Sequence, residues 1–209
     1  MKKLKPYLIG ITGGSGSGKT SFIKKLRSIY SENEVCIISQ DNFYHPHQFQ
    51  MKDASGIVNY DLPGSIDQKK FSYYLKELIK GKPIELKEYT FNTQKNKGNM
   101  LLFKPAPVII VEGIFIFHNK LINSLLDLKV FIEAKENLKV IRRIKRDQIE
   151  RELPLEMVLY QYEKHVLPAF EKYILPFKDE VDIVINNNQN FSAAIELMTG
   201  FIDSKLTAK

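Results

Sequence analysis

The sequence predicts an α/β fold in which a mostly parallel sheet carries helices on both faces. Two patterns predict it. Short continuous apolar runs, rich in β-branched residues, fit strands buried on both sides. Between them apolar residues recur at spacings of three and four, as helix faces packed on a sheet require. With 209 residues the chain can bury one core but is short for two, so a single domain over residues 1–209 is expected.

Tyr7 to Thr12 reads as the first strand and is followed at once by glycines. Phe22, Ile23, Leu26, Ile29 and Tyr30 then form the apolar face of a helix starting near Lys19. Val35 to Ser39 and Val108 to Val111 read as further buried strands. Between these, Ser65 to Gln68 resembles a capping box, opening a helix whose stripe Phe71, Tyr74, Leu75, Leu78 and Ile79 stops at Gly81. Ile84 to Phe91 and Asn99 to Phe103 flank a polar turn, so a small β-hairpin excursion is expected at about residues 82–104. The alternation then resumes: strand Leu128 to Ile132, helix about Asn137 to Ile149, helix Leu155 to Tyr173, strand Val181 to Ile185, helix Phe191 to Lys205. A helical lid is expected at about residues 146–160.

Composition removes several functional classes. Hydrophobic residues at 44% and charged residues at 26% exclude a disordered chain. No apolar run approaches the roughly 20 residues that cross a bilayer, and the apolar stretch near the start is too short for a signal peptide. A cytoplasmic protein without membrane contact is expected, with the single cysteine, Cys36, as a buried core residue. The net charge of +7 suits a polyphosphate ligand as well as a nucleic acid. No helix-turn-helix, zinc-finger or aromatic-basic signature accompanies it, so no nucleic-acid partner is expected.

The chemistry concentrates first at Gly13, Gly14, Ser15, Gly16, Ser17, Gly18, Lys19 and Thr20, which complete Gly-x-x-x-x-Gly-Lys-Ser/Thr between a strand and a helix. Small residues let consecutive backbone N–H groups turn in around phosphate oxygens at a helix N-terminus. Lys19 would neutralise the β- and γ-phosphates and Thr20 would ligate magnesium. The fold is therefore expected to be of P-loop NTPase type, with ATP and Mg2+ as cofactors. A dinucleotide fingerprint fails, because Lys19 stands where a third glycine would be needed. Asp53 to Gly56 and Asp61 to Gly64 fit Asp-x-x-Gly without following a strand, and Asn96 to Asn99 lacks the aspartate that reads guanine, so all three are taken as loop chemistry.

A kinase also needs a base near its acceptor at the same sheet edge. Asp41, just past the second strand, is placed for that role, with turn capping as its alternative. Glu112 ends the run Val108 to Val111 and resembles an acid holding magnesium or its water; a plain strand-end acid is the alternative.

Taken together, GGSGSGKT, SQDNFY, Asp61 in NYDLPGSID, EYTF, VEGIF and RRIKRD resemble the uridine kinase family of P-loop kinases, related to phosphoribulokinase, in order through about Phe170. The resemblance implies transfer of the ATP γ-phosphate to the 5′-hydroxyl of uridine or cytidine, giving UMP or CMP in pyrimidine salvage, by a tetramer. It implies that Asp41 activates the 5′-hydroxyl and that Asp61 holds the ribose hydroxyls. Tyr44, Tyr60, Tyr89 and Phe91 fall on aromatic positions around the base, and Gln161 on a substrate contact. It further implies that Arg143 contacts the sugar while Arg146 and Arg151 gather at the transferring phosphate; Lys139, Arg142 and Lys145 are expected to face solvent. Two positions depart from the family pattern. Gln94 stands where a histidine reads the pyrimidine edge, and Leu153 replaces a lid arginine. The alternatives are a relative acting on another small hydroxyl substrate, or a nucleotide-binding regulator that would not need Asp41. His45, His47, His118 and His165 receive no role.

Overall fold

The computed structural model describes residues 5–90 and 98–207. In chain order the strands are β1 (Tyr7–Thr12), β2 (Val35–Ser39), β3 (Ile84–Lys87), β4 (Met100–Phe103), β5 (Val108–Glu112), β6 (Leu128–Glu133) and β7 (Ile183–Asn186). The helices are α1 (Lys19–Arg27), α2 (Gln68–Ile79), α3 (Lys120–Asn123), α4 (Glu136–Glu150), α5 (Leu155–Gln161), α6 (Leu167–Tyr173) and α7 (Ser192–Thr207).

Five strands form one sheet in the order β2-β5-β1-β6-β7, and every pairing in it is parallel. Strand pleating sends alternate residues to opposite faces. Ile9, Ile11, Val35, Ile37, Val108 and Ile110 pack with Phe22 and Leu26 of α1 and Met198 and Ile202 of α7. Leu8, Cys36, Ile38, Ile109 and Val111 face the other way, onto Phe71, Leu75 and Leu78 of α2 and Phe170 of α6. Both faces are thus covered, as expected, and Cys36 is buried.

Strands β3 and β4 pair antiparallel from Ile84 with Phe103 to Lys87 with Met100, as a sheet separate from the main one. This is the expected hairpin excursion. Ile84 and Leu86 face the core while Glu85 and Lys87 face out.

Several boundaries differ from expectation, and the first hairpin strand, expected from Ile84 to Phe91, ends at Lys87. Helix α2 is capped by Asp67, whose carboxylate accepts from the Lys70 N–H at 2.9 Å, whereas Ser65 sits in a separate turn, Pro63–Ser65. An acidic oxygen next to the helix's free N–H groups is the stronger cap. Strand β7 starts at Ile183, because the Asp182 side chain takes the Lys129 N–H at 2.7 Å ahead of the ladder. The helical run from Leu155 to Tyr173 holds one π turn, Tyr162–Val166, between α5 and α6.

Candidate active site

Strand register decides which side chains share a sheet edge. Glu112 of β5 pairs with Ile11 of β1 on one side and with Ser39 of β2 on the other. The carboxyl ends of three neighbouring strands are therefore level, and the segments leaving them, 13–20, 40–43 and 113–115, emerge together. Ligands bind at this edge in parallel α/β sheets.

The phosphate loop turns from β1 into α1. Gly16 (φ 79°) and Gly18 (φ 96°) occupy the left-handed region, where a side chain is strained. A carbon added to Gly18 would also run into Nδ2 of Asn187, which donates to the Ser17 carbonyl at 2.8 Å. Asn187, buried just past β7, thus ties the loop to the far strand of the sheet; no local motif marks it. Lys19 and Thr20 open α1 and line a cleft of about 1240 Å³.

Asp41 lies in the cleft wall on the short turn Gln40–Phe43, where its N–H is held by the Ser39 hydroxyl at 3.2 Å. The preceding Gln40 is fully buried and accepts the Phe115 N–H through Oε1 at 2.9 Å, fixing the loop after β5 against the loop after β2. Glu112 is buried at 8% exposure. Burial pushes its carboxyl up, opposed by Lys19 and reinforced by Asp41. Among the described residues no three acids, histidines or cysteines could hold a metal by themselves. Magnesium bound with nucleotide takes only one or two protein oxygens and completes its shell with phosphate and water. The Thr20 hydroxyl on the cleft wall and the desolvated Glu112 beside Asp41 fit such a partial set.

The same cleft is lined by residues expected to meet a second molecule. Tyr44 and Tyr60 line it, with ring centroids 5.9 Å apart and planes at 82°. Tyr89 packs against Tyr44, with ring centroids 5.4 Å apart and planes tilted by 39°, instead of lining the cleft itself, and Asn42 receives its N–H at 3.3 Å. Asp61 lines the cleft half-buried; burial raises its carboxyl, against the pull first of Arg143, then of His165, Arg151 and Arg146. Gln161 also lines the cleft. Phe91 and Gln94 lie outside the described residues.

Helix α4 brings arginines to the same cleft. Arg143, Arg146 and Arg151 converge on Asp147, which is wholly buried. Their Nε atoms stand 3.2, 2.8 and 3.5 Å from its carboxylate, although only Arg146 is aligned for a hydrogen bond. Arg143 also donates to the Ser15 hydroxyl of the phosphate loop at 2.9 Å, so one guanidinium joins the loop to the Asp61 side of the cleft. Asp147 is the residue that sequence reasoning missed here, since an acid among helix basics reads as an ordinary surface pair.

Two expectations for α4 fail. Lys139 is buried, with Nζ paired to Glu136 and lying 3.7 Å from the centroid of the Phe170 ring. Arg142 lines the cleft and donates to the Asn187 carbonyl at 3.0 Å. Both turn inward because α4 packs directly on the phosphate loop, where any side chain on Gly16 would strike the Lys139 backbone. Lys145 is exposed, as expected.

A phosphate loop on the central strand, with acids at the ends of the next two strands on one side and an aromatic, acidic pocket beyond, defines a P-loop kinase. The model of the phosphoribulokinase / uridine kinase family matches residues 8–192. The chain belongs to that family. It is 35% identical over 204 residues to uridine-cytidine kinase B of Dictyostelium discoideum, covering 98% of this chain and 84% of that one. It is 33% identical to the uridine kinase of Streptococcus agalactiae serotype V, covering 97% of each. The fold also matches that of a D-glycerate 3-kinase from Cryptococcus neoformans, with TM-score 0.61, 15% identity and coverage of 91% of this chain and 89% of that chain.

Proposed function

We propose that the protein is an ATP-dependent kinase that transfers the γ-phosphate to the 5′-hydroxyl of uridine or cytidine, yielding UMP or CMP. The observation that carries this reading is the shared cleft: the phosphate loop, Asp41, Asp61, Tyr44 and Tyr60 all line it. Near-full-length identity to uridine and uridine-cytidine kinases supports it.

In this reading residues 13–20 cradle the ATP phosphates, with Lys19 countering β/γ charge. The Asp41 carboxylate accepts the 5′-hydroxyl proton as the oxygen bonds to the γ-phosphorus and the bond from that phosphorus to the β-γ bridging oxygen breaks. Charge passes toward the departing ADP, and Arg146 and Arg151, oriented by Asp147, stabilise it. Asp61 binds at the ribose hydroxyls, Arg143 and Gln161 bind the sugar side, and Tyr44 and Tyr60 flank the base with Tyr89 behind Tyr44. Thr20 and Glu112 would hold magnesium, which when bound offsets charge on the β- and γ-phosphate oxygens. The helical segment at about 146–160 serves as the lid, and the protein acts as a single domain. A cytoplasmic homo-oligomer, a tetramer by family resemblance, accompanies this reading and is measured by light scattering.

The deciding assay supplies Mg-ATP with uridine, cytidine and a panel of other alcohols, following ADP and phosphorylated product. Turnover of uridine or cytidine well above the rest is expected; none on either would defeat the proposal.

A further inference from the structure

His165 is a buried titratable side chain that the mechanism above does not use, yet its ring forms part of the cleft wall. It sits in the π turn between α5 and α6, the one place where that helical run departs from α geometry. π turns recur at functional sites because the extra residue re-aims a side chain. Its Nε2 lies 2.7 Å from Oδ2 of Asp53, the same oxygen that accepts from the Tyr160 hydroxyl at 2.9 Å. Neither Asp53 nor Tyr160 lines the cleft, so both hold the ring from behind.

Asp53 is fixed in turn. Its other oxygen accepts the N–H groups of Ser55 at 2.8 Å and Ile57 at 2.9 Å. Burial raises its carboxyl, but His165, the Ile57 N–H, Tyr160 and the Ser55 N–H together outweigh burial and bring it to about 2. Asp53 is therefore an anion that only accepts, and Nε2 must carry the proton. In the neutral ring that tautomer leaves Nδ1 as a bare acceptor, and among the described residues Nδ1 has no hydrogen-bond partner. The cleft wall thus presents two acceptors, the Asp61 carboxylate and, in the neutral ring, Nδ1 of His165. Two neighbouring acceptors complement two neighbouring hydroxyl donors.

We propose that His165, held in one tautomer by Asp53 and Tyr160, is a specificity residue whose Nδ1 accepts a hydrogen bond from one hydroxyl of the acceptor's vicinal diol, beside Asp61. This rests on the nucleoside-kinase reading above. It makes the choice of ribose over deoxyribose a property of two residues on different elements, so that removing either hydroxyl strands a buried acceptor.

The test compares uridine, 2′-deoxyuridine and 3′-deoxyuridine in the wild type, His165→Phe and His165→Gln. The Gln variant keeps a donor at the Nε2 position toward Asp53 and loses the acceptor at Nδ1. Both variants are expected to lose about tenfold in kcat/KM on uridine, the size of one net hydrogen bond. On the deoxynucleoside that lacks the contacted hydroxyl, kcat/KM should stay unchanged, so discrimination collapses for that hydroxyl alone. An equal fall on all three substrates in the Gln variant would show that the ring only braces the fold, and would overturn the assignment. Unchanged uridine kinetics would overturn it too. A wild type inactive on uridine would instead defeat the function reading, and this assignment with it.

Discussion

Asp41 and Asp147 do different work at the scale of single residues. Asp41 stands on the cleft wall, and among the described residues only its backbone N–H is hydrogen-bonded, which leaves its side chain to meet a hydroxyl. Asp41→Asn should lower kcat by at least about a hundredfold with little change in unfolding midpoint, because a general base contributes about 10²–10⁴; turnover within a few fold of wild type would remove the base assignment. Asp147 is wholly buried and does not line the cleft; it pairs with three arginines. Replacing it with Asn leaves Arg143 buried with a weakened partner, while Arg146 and Arg151 keep about a third of their side-chain surface in water. The expected destabilisation lies at the low end of the about 3–5 kcal/mol seen when a buried ion pair is broken. Urea titration measures it, and kcat should fall more than the KM for uridine rises. Asp41 was legible in the sequence because a strand end followed by an acid is a local pattern. Asp147 was not, because an acid among neighbouring helix arginines reads as a surface pair; Asn187 and the pair Asp53–His165 were not, because contacts across 170 and 112 positions create their roles.

At the scale of elements, the phosphate loop is a wedge between α4 and the end of β7. Gly16 faces the Lys139 backbone and Gly18 faces Asn187. Gly18→Ala meets a left-handed backbone and a filled space together, so the loop must shift. A loss of about 1–3 kcal/mol in stability is expected, with ATP affinity falling in fluorescence or calorimetric titrations. Asn187→Ala relieves the clash, and adding it to Gly18→Ala should recover part of the stability. The strands and amphipathic helices were readable because apolar periodicity is local. The inward turn of Lys139 and Arg142 was not, since their solvent-facing expectation assumed nothing packed on that side of α4. The cap of α2 was misplaced by two residues because Ser65 and Asp67 both satisfy a capping pattern, and only the chain's path past Pro63 selects Asp67.

For the whole molecule, pH acts through groups whose ionisation differs between folded and unfolded chains. The Asp53 carboxyl is held at about 2 against an ordinary 3.8. A lowered acid stabilises fully above its unfolded value, and that stabilisation is lost as pH falls through the folded value. The stability gap between wild type and Asp53→Asn should therefore be constant above about pH 5 and close toward pH 2, as read from urea midpoints across the acid range; a gap independent of pH would contradict the ionised Asp53. Glu112 acts in the opposite sense, since burial raises it: its ionisation costs stability as pH climbs above the ordinary carboxyl range. The strand order carries one more consequence, for synthesis on the ribosome. Strand β1 is made first, but its ladder partners begin at Val108 and Leu128, on either side of it. The phosphate loop therefore cannot gain its supporting strands until most of the chain has been translated, and such long-range pairing folds slowly. ATP therefore cannot stabilise a half-made chain by binding it, and the loop gains that support only once β6 has left the exit tunnel.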